Sequence, residues 1–265
     1  KELKKELQAS GGDLLVLDIG PKDAFKKLFT KLNHKPKTIT FCRDYEPFAV
    51  KRDDTMTSFF ENSGIDVQSF RDHLLIEPHE LEKESGKGEG YKVYSPFARK
   101  WIEIFEHDEV QVRIESQKNG LSYMKNLASG NKINELFSLK WKDLFNDSPL
   151  DDHLDHYIEE NKKSVDIEIP PCDTKTIYSA LKNFEKKLDE YGEKRDFPYE
   201  PNTSRFSMYL KHGSLTISQI IAFYDLKGYK KKKSGRDTFL SELIWREFYY
   251  HILNRWPKVE ESAFL

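Results

Sequence analysis

The chain has 265 residues, of which 37% are hydrophobic, 13% aromatic and 33% charged, with a formal net charge of −2. That is room for two domains and enough apolar material for a buried core, which excludes a fibrous or wholly disordered chain. Two cysteines, Cys42 and Cys172, are too few for a disulfide framework or a cysteine-rich metal site, and no apolar run approaches a membrane span, so a cytoplasmic, monomeric protein without membrane contact is expected.

Residues 1–9 carry an amphipathic helix pattern, with Leu3 and Leu7 on one side and no cap before them, so the chain is expected to begin inside an element. Residues 13–19 form an apolar run closed by Gly20-Pro21, and Ala24, Phe25, Leu28 and Phe29 follow at helical spacing; this predicts strand, turn, helix. A second strand is predicted over residues 38–42, leading into Phe48, Met56, Phe59 and Phe60. The turn Asn62-Ser63-Gly64 then precedes a third strand over residues 65–70. Strands alternating with helices imply βαβ units and a parallel sheet through about residue 80. A Gly, Glu and Lys cluster over residues 82–90 marks a loop, and residues 110–171 read as irregular up to Pro170-Pro171.

Beyond Pro171 the period becomes helical, with Ile177, Leu181, Phe184, Leu188 and Tyr191 on one stripe. Asp237 stands as an N-cap before a helix over residues 239–256 that Pro257 stops. The expected organisation is an α/β domain over residues 1–109, a connector over 110–171 and an all-helical domain over 172–265. Residues 1–190 hold 30 Lys and Arg against 36 Asp and Glu, whereas 191–265 hold 13 against 9. The basic end suits a polyanion, although a solvated surface gives the same bias; the run Lys230-Lys231-Lys232-Lys233 reads the same two ways. The eight histidines show no metal-ligand spacing, His153 and His156 lying three apart in an acidic stretch, and no metal is expected.

Two segments carry chemistry. In Tyr191-Gly-Glu-Lys-Arg195-Asp-Phe-Pro-Tyr-Glu-Pro-Asn-Thr203-Ser204-Arg205-Phe206-Ser207-Met-Tyr-Leu, three hydroxyls and a guanidinium stand beside a predicted helix start. Free N–H groups and a positive dipole end favour a phosphate there, and the same hydroxyls would also serve as a plain cap. In Phe239-Leu-Ser-Glu242-Leu243-Ile244-Trp245-Arg246-Glu247-Phe248-Tyr249, residues Glu242, Trp245, Arg246 and Tyr249, with Trp256 beyond, fall within an arc of about 100° on a helix. A stacking ring beside a carboxylate is what holds an unstacked base outside a duplex. An aromatic core stripe and an i,i+4 ion pair between Glu242 and Arg246 are the structural alternatives.

In this order and spacing the segments resemble the cryptochrome/photolyase family. Thr203-Ser-Arg-Phe-Ser-Met-Tyr-Leu resembles its flavin-phosphate motif, and Glu242-Leu-Ile-Trp-Arg-Glu-Phe-Tyr resembles the class I cyclobutane-dimer photolyases. Asp44-Tyr-Glu-Pro-Phe-Ala-Val-Lys-Arg-Asp53 and Tyr94-Ser-Pro-Phe-Ala-Arg-Lys-Trp101 resemble antenna-domain segments. The resemblance implies an α/β antenna domain with a parallel sheet followed by an all-α FAD-binding domain, both incomplete, because the family's first strand has no counterpart before Lys1 and half of its flavin domain would lie beyond Leu265. It implies FAD held by Tyr191, Thr203, Ser204, Arg205, Phe206, Ser207, Phe239 and Arg246, and an antenna pigment of unassigned identity, folate being disfavoured by Phe48 and Ala49 after Pro47. Arg195 and the run Glu242, Leu243, Ile244, Trp245, Arg246, Glu247, Phe248 and Tyr249 would meet DNA containing pyrimidine dimers, with Glu242 and Trp245 as the catalytic pair. The implied activity is that of a deoxyribodipyrimidine photo-lyase; a blue-light photoreceptor of the cryptochrome type is the alternative on the same fold.

Overall fold

The computed structural model describes residues 2–9, 14–17, 19–32, 34–85, 90–128, 156, 158–161, 163, 170–232 and 234–264. Helix α1 covers Glu2–Ala9 and α2 covers Pro21–Lys31, with Pro21 at its first turn, where the missing N–H costs no intrahelical bond. Strand β1 (Thr38–Cys42), helix α3 (Pro47–Glu61) and strand β2 (Asp66–Phe70) form one βαβ unit. The strands run parallel, Thr38 opposite Asp66 through Cys42 opposite Phe70. Gly64, at φ +76°, supplies the left-handed turn that lets Ile65 N–H reach Phe60 O at 3.0 Å and start β2. Met56, Phe60 and Ile65 form a small core under the sheet, joined by Phe25, Phe29, Phe59, Ile39 and Val67.

The rest of the described residues form helices and their connections. Helix α4 covers Pro78–Ser85, α5 Tyr94–Phe105, α6 Asp108–Ala128, α7 Thr174–Glu185, α8 Tyr191–Lys194, α9 Ser207–Lys211, α10 Ile217–Tyr224 and α11 Gly235–Arg255, with a 3-10 turn at Pro257–Glu260. One continuous core runs through them: Phe97, Trp101 and Phe105 of α5, Ile114 and Met124 of α6, Leu181 and Phe184 of α7, Ile220 and Tyr224 of α10, and Leu240, Ile244 and Phe248 of α11. Gly235 lets the start of α11 lie directly on the preceding chain, since a Cβ there would stand 2.2 Å from Leu188 O.

An ion-pair network and a pair of hydrogen bonds tie the α/β part to the helices. Glu77 accepts from Arg43 after β1 and Arg71 after β2, while Glu80 accepts from Arg71 and from Arg113 of α6. Glu6 of α1 accepts from Thr174 N and Oγ1, each at 2.8 Å, placing a carboxylate at the positive end of α7.

Three expectations need correction. Residues 14–17 form no strand, although they are partly buried as the apolar run suggested; the described sheet is β1 and β2 alone. An apolar run is not sufficient for a strand, which also needs a ladder. Residues 108–128, read mostly as irregular, are a 21-residue helix. Its charged residues conceal a narrow apolar seam, Val110, Ile114 and Met124, that α7 and α10 cover. The cap of α11 is Ser234, whose hydroxyl accepts from Asp237 N while Asp237 bonds back to Ser234 N, so Asp237 is the third residue of a capping box. Residues 172–264 contain no strand among those described, as the helical period predicted. Most of the expected connector, His153 and Lys233 lie outside the described residues. Among the described residues no three metal-ligating side chains gather, and no helix is long and apolar enough to cross a membrane.

Candidate functional site

Helix α11 organises the site because four of its faces do different work. Its core face, Phe239, Leu240, Ile244 and Phe248, is buried. Phe239 meets the rings of Phe184 at 4.8 Å, Tyr191 at 5.4 Å and Tyr224 at 6.0 Å, mostly edge to face. Phe239 and Tyr191 of this cluster, with Phe206, floor a concavity of about 370 Å³. Ser204, Ser207 and Lys211 line it from the segment around α9, and Glu242, Leu243, Arg246 and Tyr250 line it from α11.

The segment before α9 places its hydroxyls by an unusual backbone. Arg205 adopts φ +54°, a left-handed conformation that costs a non-glycine residue energy and is held only where the surroundings enforce it. That turn buries Phe206 and leaves Ser204 and Ser207 on the concavity, while the side chains of Thr203 and Arg205 are exposed and do not line it. The segment therefore contributes two hydroxyls and one ring to the wall, fewer groups than its sequence offered.

Glu242 is engaged by Arg195, whose guanidinium pairs with its carboxylate and lies 5.4 Å over the Tyr191 ring. The hydrogen bond from Arg195 to Glu242 raises the guanidinium pKa still further. Arg246 donates to His73 O at 2.8 Å and contacts His73 Nε2 at 3.0 Å, with its guanidinium 4.9 Å over Tyr250. Burial, reinforced by Arg246, lowers His73 to about 4. Since a guanidinium can only donate, neutral His73 accepts at Nε2 and carries its proton on Nδ1. Lys211 forms an ion pair with Glu46, which immediately precedes α3.

Trp245 lies on a different face. Its indole stacks on Tyr94 of α5 at 3.5 Å and 5°. It lines a second concavity of about 550 Å³ with Tyr94, Arg99, Ile102, Tyr229, Lys230, Lys232 and Ser241, a set that does not include Glu242. The expected pair of Glu242 and Trp245 in one cavity is thus divided between two adjoining concavities.

The run proposed for DNA contact also needs correction. Ile244 and Phe248 are core residues, and Leu243, although it reaches the floor of the first concavity, is almost wholly buried. Glu247, 1% exposed, accepts from Leu75 N, from Ile76 N at 3.3 Å and from Trp101 Nε1 at 2.5 Å. It faces protein on every side. Burial raises its carboxyl to about 7 against the opposing pull of those donors. Tyr249 is 63% exposed and free to meet a partner.

Sequence reasoning missed Lys211 and Tyr250, both signalled by i,i+4 spacing from Ser207 and Arg246. It also missed His73, which follows β2, and Tyr94 of α5 as partners of α11; both are distant in sequence, and no local pattern announces them.

Residues 1–115 match the DNA photolyase family model. A deoxyribodipyrimidine photo-lyase of Agrobacterium fabrum is 28% identical over 98% of this chain and 49% of its own length. Among solved structures, a class III photolyase of Agrobacterium tumefaciens matches with a TM-score of 0.66 at 23% identity, covering 98% of this chain and 49% of that one. An archaeal photolyase of Sulfolobus tokodaii, solved with two FAD molecules and taken to imply a novel light-harvesting cofactor, matches with a TM-score of 0.61 at 20% identity over 99% and 48%. The resemblance drawn from the motifs is borne out, and the fold is the photolyase fold. The chain spans about half the length of the relatives it matches.

Proposed function

We propose that this protein repairs cyclobutane pyrimidine dimers in DNA by light-driven electron transfer from FAD, as a deoxyribodipyrimidine photo-lyase. The observation that carries the reading is the first concavity, where Ser204 and Ser207 face Arg246 and Glu242 across an aromatic floor. The donor set fits a flavin dinucleotide: hydroxyls and the cations Lys211 and Arg246 suit phosphate, and the floor of Tyr191, Phe206 and Phe239 suits a planar ring system. Reduced FAD, excited by light, would supply the electron that splits the dimer.

The chain's own residues bind and orient. Ser204, Ser207 and Arg246 hold the phosphate side of the cofactor. Glu242, once its carboxylate turns from Arg195, accepts a hydrogen bond from an imide N–H of the dimer and so orients the lesion. Arg195, released, is free to meet a DNA phosphate. Trp245 and exposed Tyr249 offer ring surface to bases beside the lesion. An antenna pigment on the α/β part completes the proposal as a light collector.

The test is blue illumination of dimer-containing DNA with the intact protein. Co-purifying flavin and light-dependent loss of dimers are expected. A flavin-bearing protein that leaves dimers untouched would favour the photoreceptor reading, and a colourless protein would defeat the flavin reading.

A further inference from the structure

Tyr94 opens α5, far from α11 in sequence, yet its ring lies 3.5 Å from that of Trp245 on α11, with only 5° between the planes. Its hydroxyl is fixed as well, standing 2.8 Å from Ser241 Oγ and 3.1 Å from Ser241 O, one turn before Trp245 on the same helix. Both rings are partly exposed at the rim of the second concavity rather than sunk in the core. With centroids 3.5 Å apart and planes nearly parallel the two rings lie face to face with almost no offset, and anchoring at both ends removes the rotation that an exposed indole would otherwise keep.

We propose that Tyr94 is a positioning residue for lesion recognition: it covers one face of the Trp245 indole, beside which Tyr249 also stacks at 5.7 Å, and holds the ring's remaining exposed surface, already oriented, for an unstacked base. The inference rests on the repair reading and adds to it a residue from α5. Arg99, Lys230 and Lys232 line the same concavity and suit the phosphates of the flanking strand. Holding the ring in advance matters because a base that had to immobilise a mobile indole would lose binding free energy to that ordering.

The experiment measures affinity of the intact, flavin-loaded protein for an oligonucleotide carrying a single thymine dimer and for the undamaged oligonucleotide. Tyr94→Leu should weaken dimer binding about 3- to 10-fold, with little change for undamaged DNA and an unaltered flavin spectrum. Tyr94→Phe, which keeps the ring, should restore most of the affinity. In a Trp245→Leu background the Tyr94→Leu effect should vanish, because Tyr94 acts through Trp245. An equal loss in both backgrounds, or unchanged dimer affinity in Tyr94→Leu, overturns the proposal. If Tyr94→Leu does not fold, Tyr94→Met, which fills the space without a planar ring, carries the same cycle. A wild-type protein that does not distinguish dimer from undamaged DNA defeats the repair reading itself, and this inference with it.

Discussion

Replacing Glu247 with glutamine should change how stability depends on pH. The carboxylate is 1% exposed and meets three N–H donors, from Leu75, Ile76 and Trp101. Those donors and nearby Arg246 favour the charged form, but burial outweighs them, and the carboxyl rises from 4.5 to about 7. A group whose pKa is higher folded than unfolded binds more protons in the folded state. Its contribution is therefore complete below the unfolded value and is lost as pH rises through the folded one. For this carboxyl the loss falls between 4.5 and about 7 and amounts to about 3 kcal/mol.

Glutamine cannot titrate, so Glu247→Gln removes that loss. Its amide nitrogen also sets a donor against one of the three N–H groups, a fixed cost of about 1–3 kcal/mol at every pH. Urea unfolding followed by tryptophan fluorescence, at steps from about pH 4 to pH 8, should show the stability of Glu247→Gln relative to wild type improving with pH by roughly 3 kcal/mol. Taking the difference cancels the other titrating groups. Parallel curves for the two proteins would refute the assignment of a buried, proton-binding carboxylate at this position.

Gly235→Ala should lower stability by about 1–3 kcal/mol in denaturant unfolding, because its Cβ would stand 2.2 Å from Leu188 O; an unchanged midpoint would show that the approach is not close. Arg246→Lys should reduce both flavin content and stability, the latter by about 1–3 kcal/mol, since an ammonium cannot make the forked contact to His73 O and Nε2. Full flavin retention in that variant would remove Arg246 from the cofactor wall. Trp245→Ala should weaken binding to dimer-containing DNA by about 1–3 kcal/mol and leave the flavin spectrum intact, and a loss of folding instead would return Trp245 to a packing role.

The parts of the fold legible in sequence are those that local pattern determines. Asn62-Ser63-Gly64 announced the turn into β2 because the left-handed conformation at position 64 suits glycine. The stripe through Ile177, Leu181, Phe184 and Leu188 announced α7 and the turn after it because all four face one core. The cap at Ser234 is legible, since Ser followed three residues later by Asp is a capping-box pattern, but Asp237 stands nearer the apolar run and offers a competing cap. Helix α6 was hard to read because most of its surface is polar and only a seam meets α7 and α10. At the site, helical spacing put Glu242, Trp245 and Arg246 within an arc of about 100°, which is wide enough to border two concavities, Glu242 and Arg246 facing one and Trp245 the other. Which residue faced which depended on Arg195, Tyr94 and His73.

Those long-range partners also explain why the α/β part matters to a site built on a helix of the other half. Arg246 and Glu247 are adjacent, so they leave α11 in different directions, yet both bind one short stretch: Arg246 takes His73, and Glu247 takes Leu75 and Ile76. That stretch is in turn fixed to the strand ends, since Arg71 and Arg113 both donate to Leu75 O and Arg71 also pairs with Glu77 and Glu80. Tyr94 adds a third attachment one turn earlier on α11, through Ser241 and Trp245. A helix held at Ser241, Trp245, Arg246 and Glu247 cannot rotate about its axis without breaking contacts on several sides. The same restraint keeps Glu242 facing the first concavity and the indole facing the second. The stretch after β2, together with Tyr94 of α5, therefore sets the orientation of the residues proposed to meet the lesion.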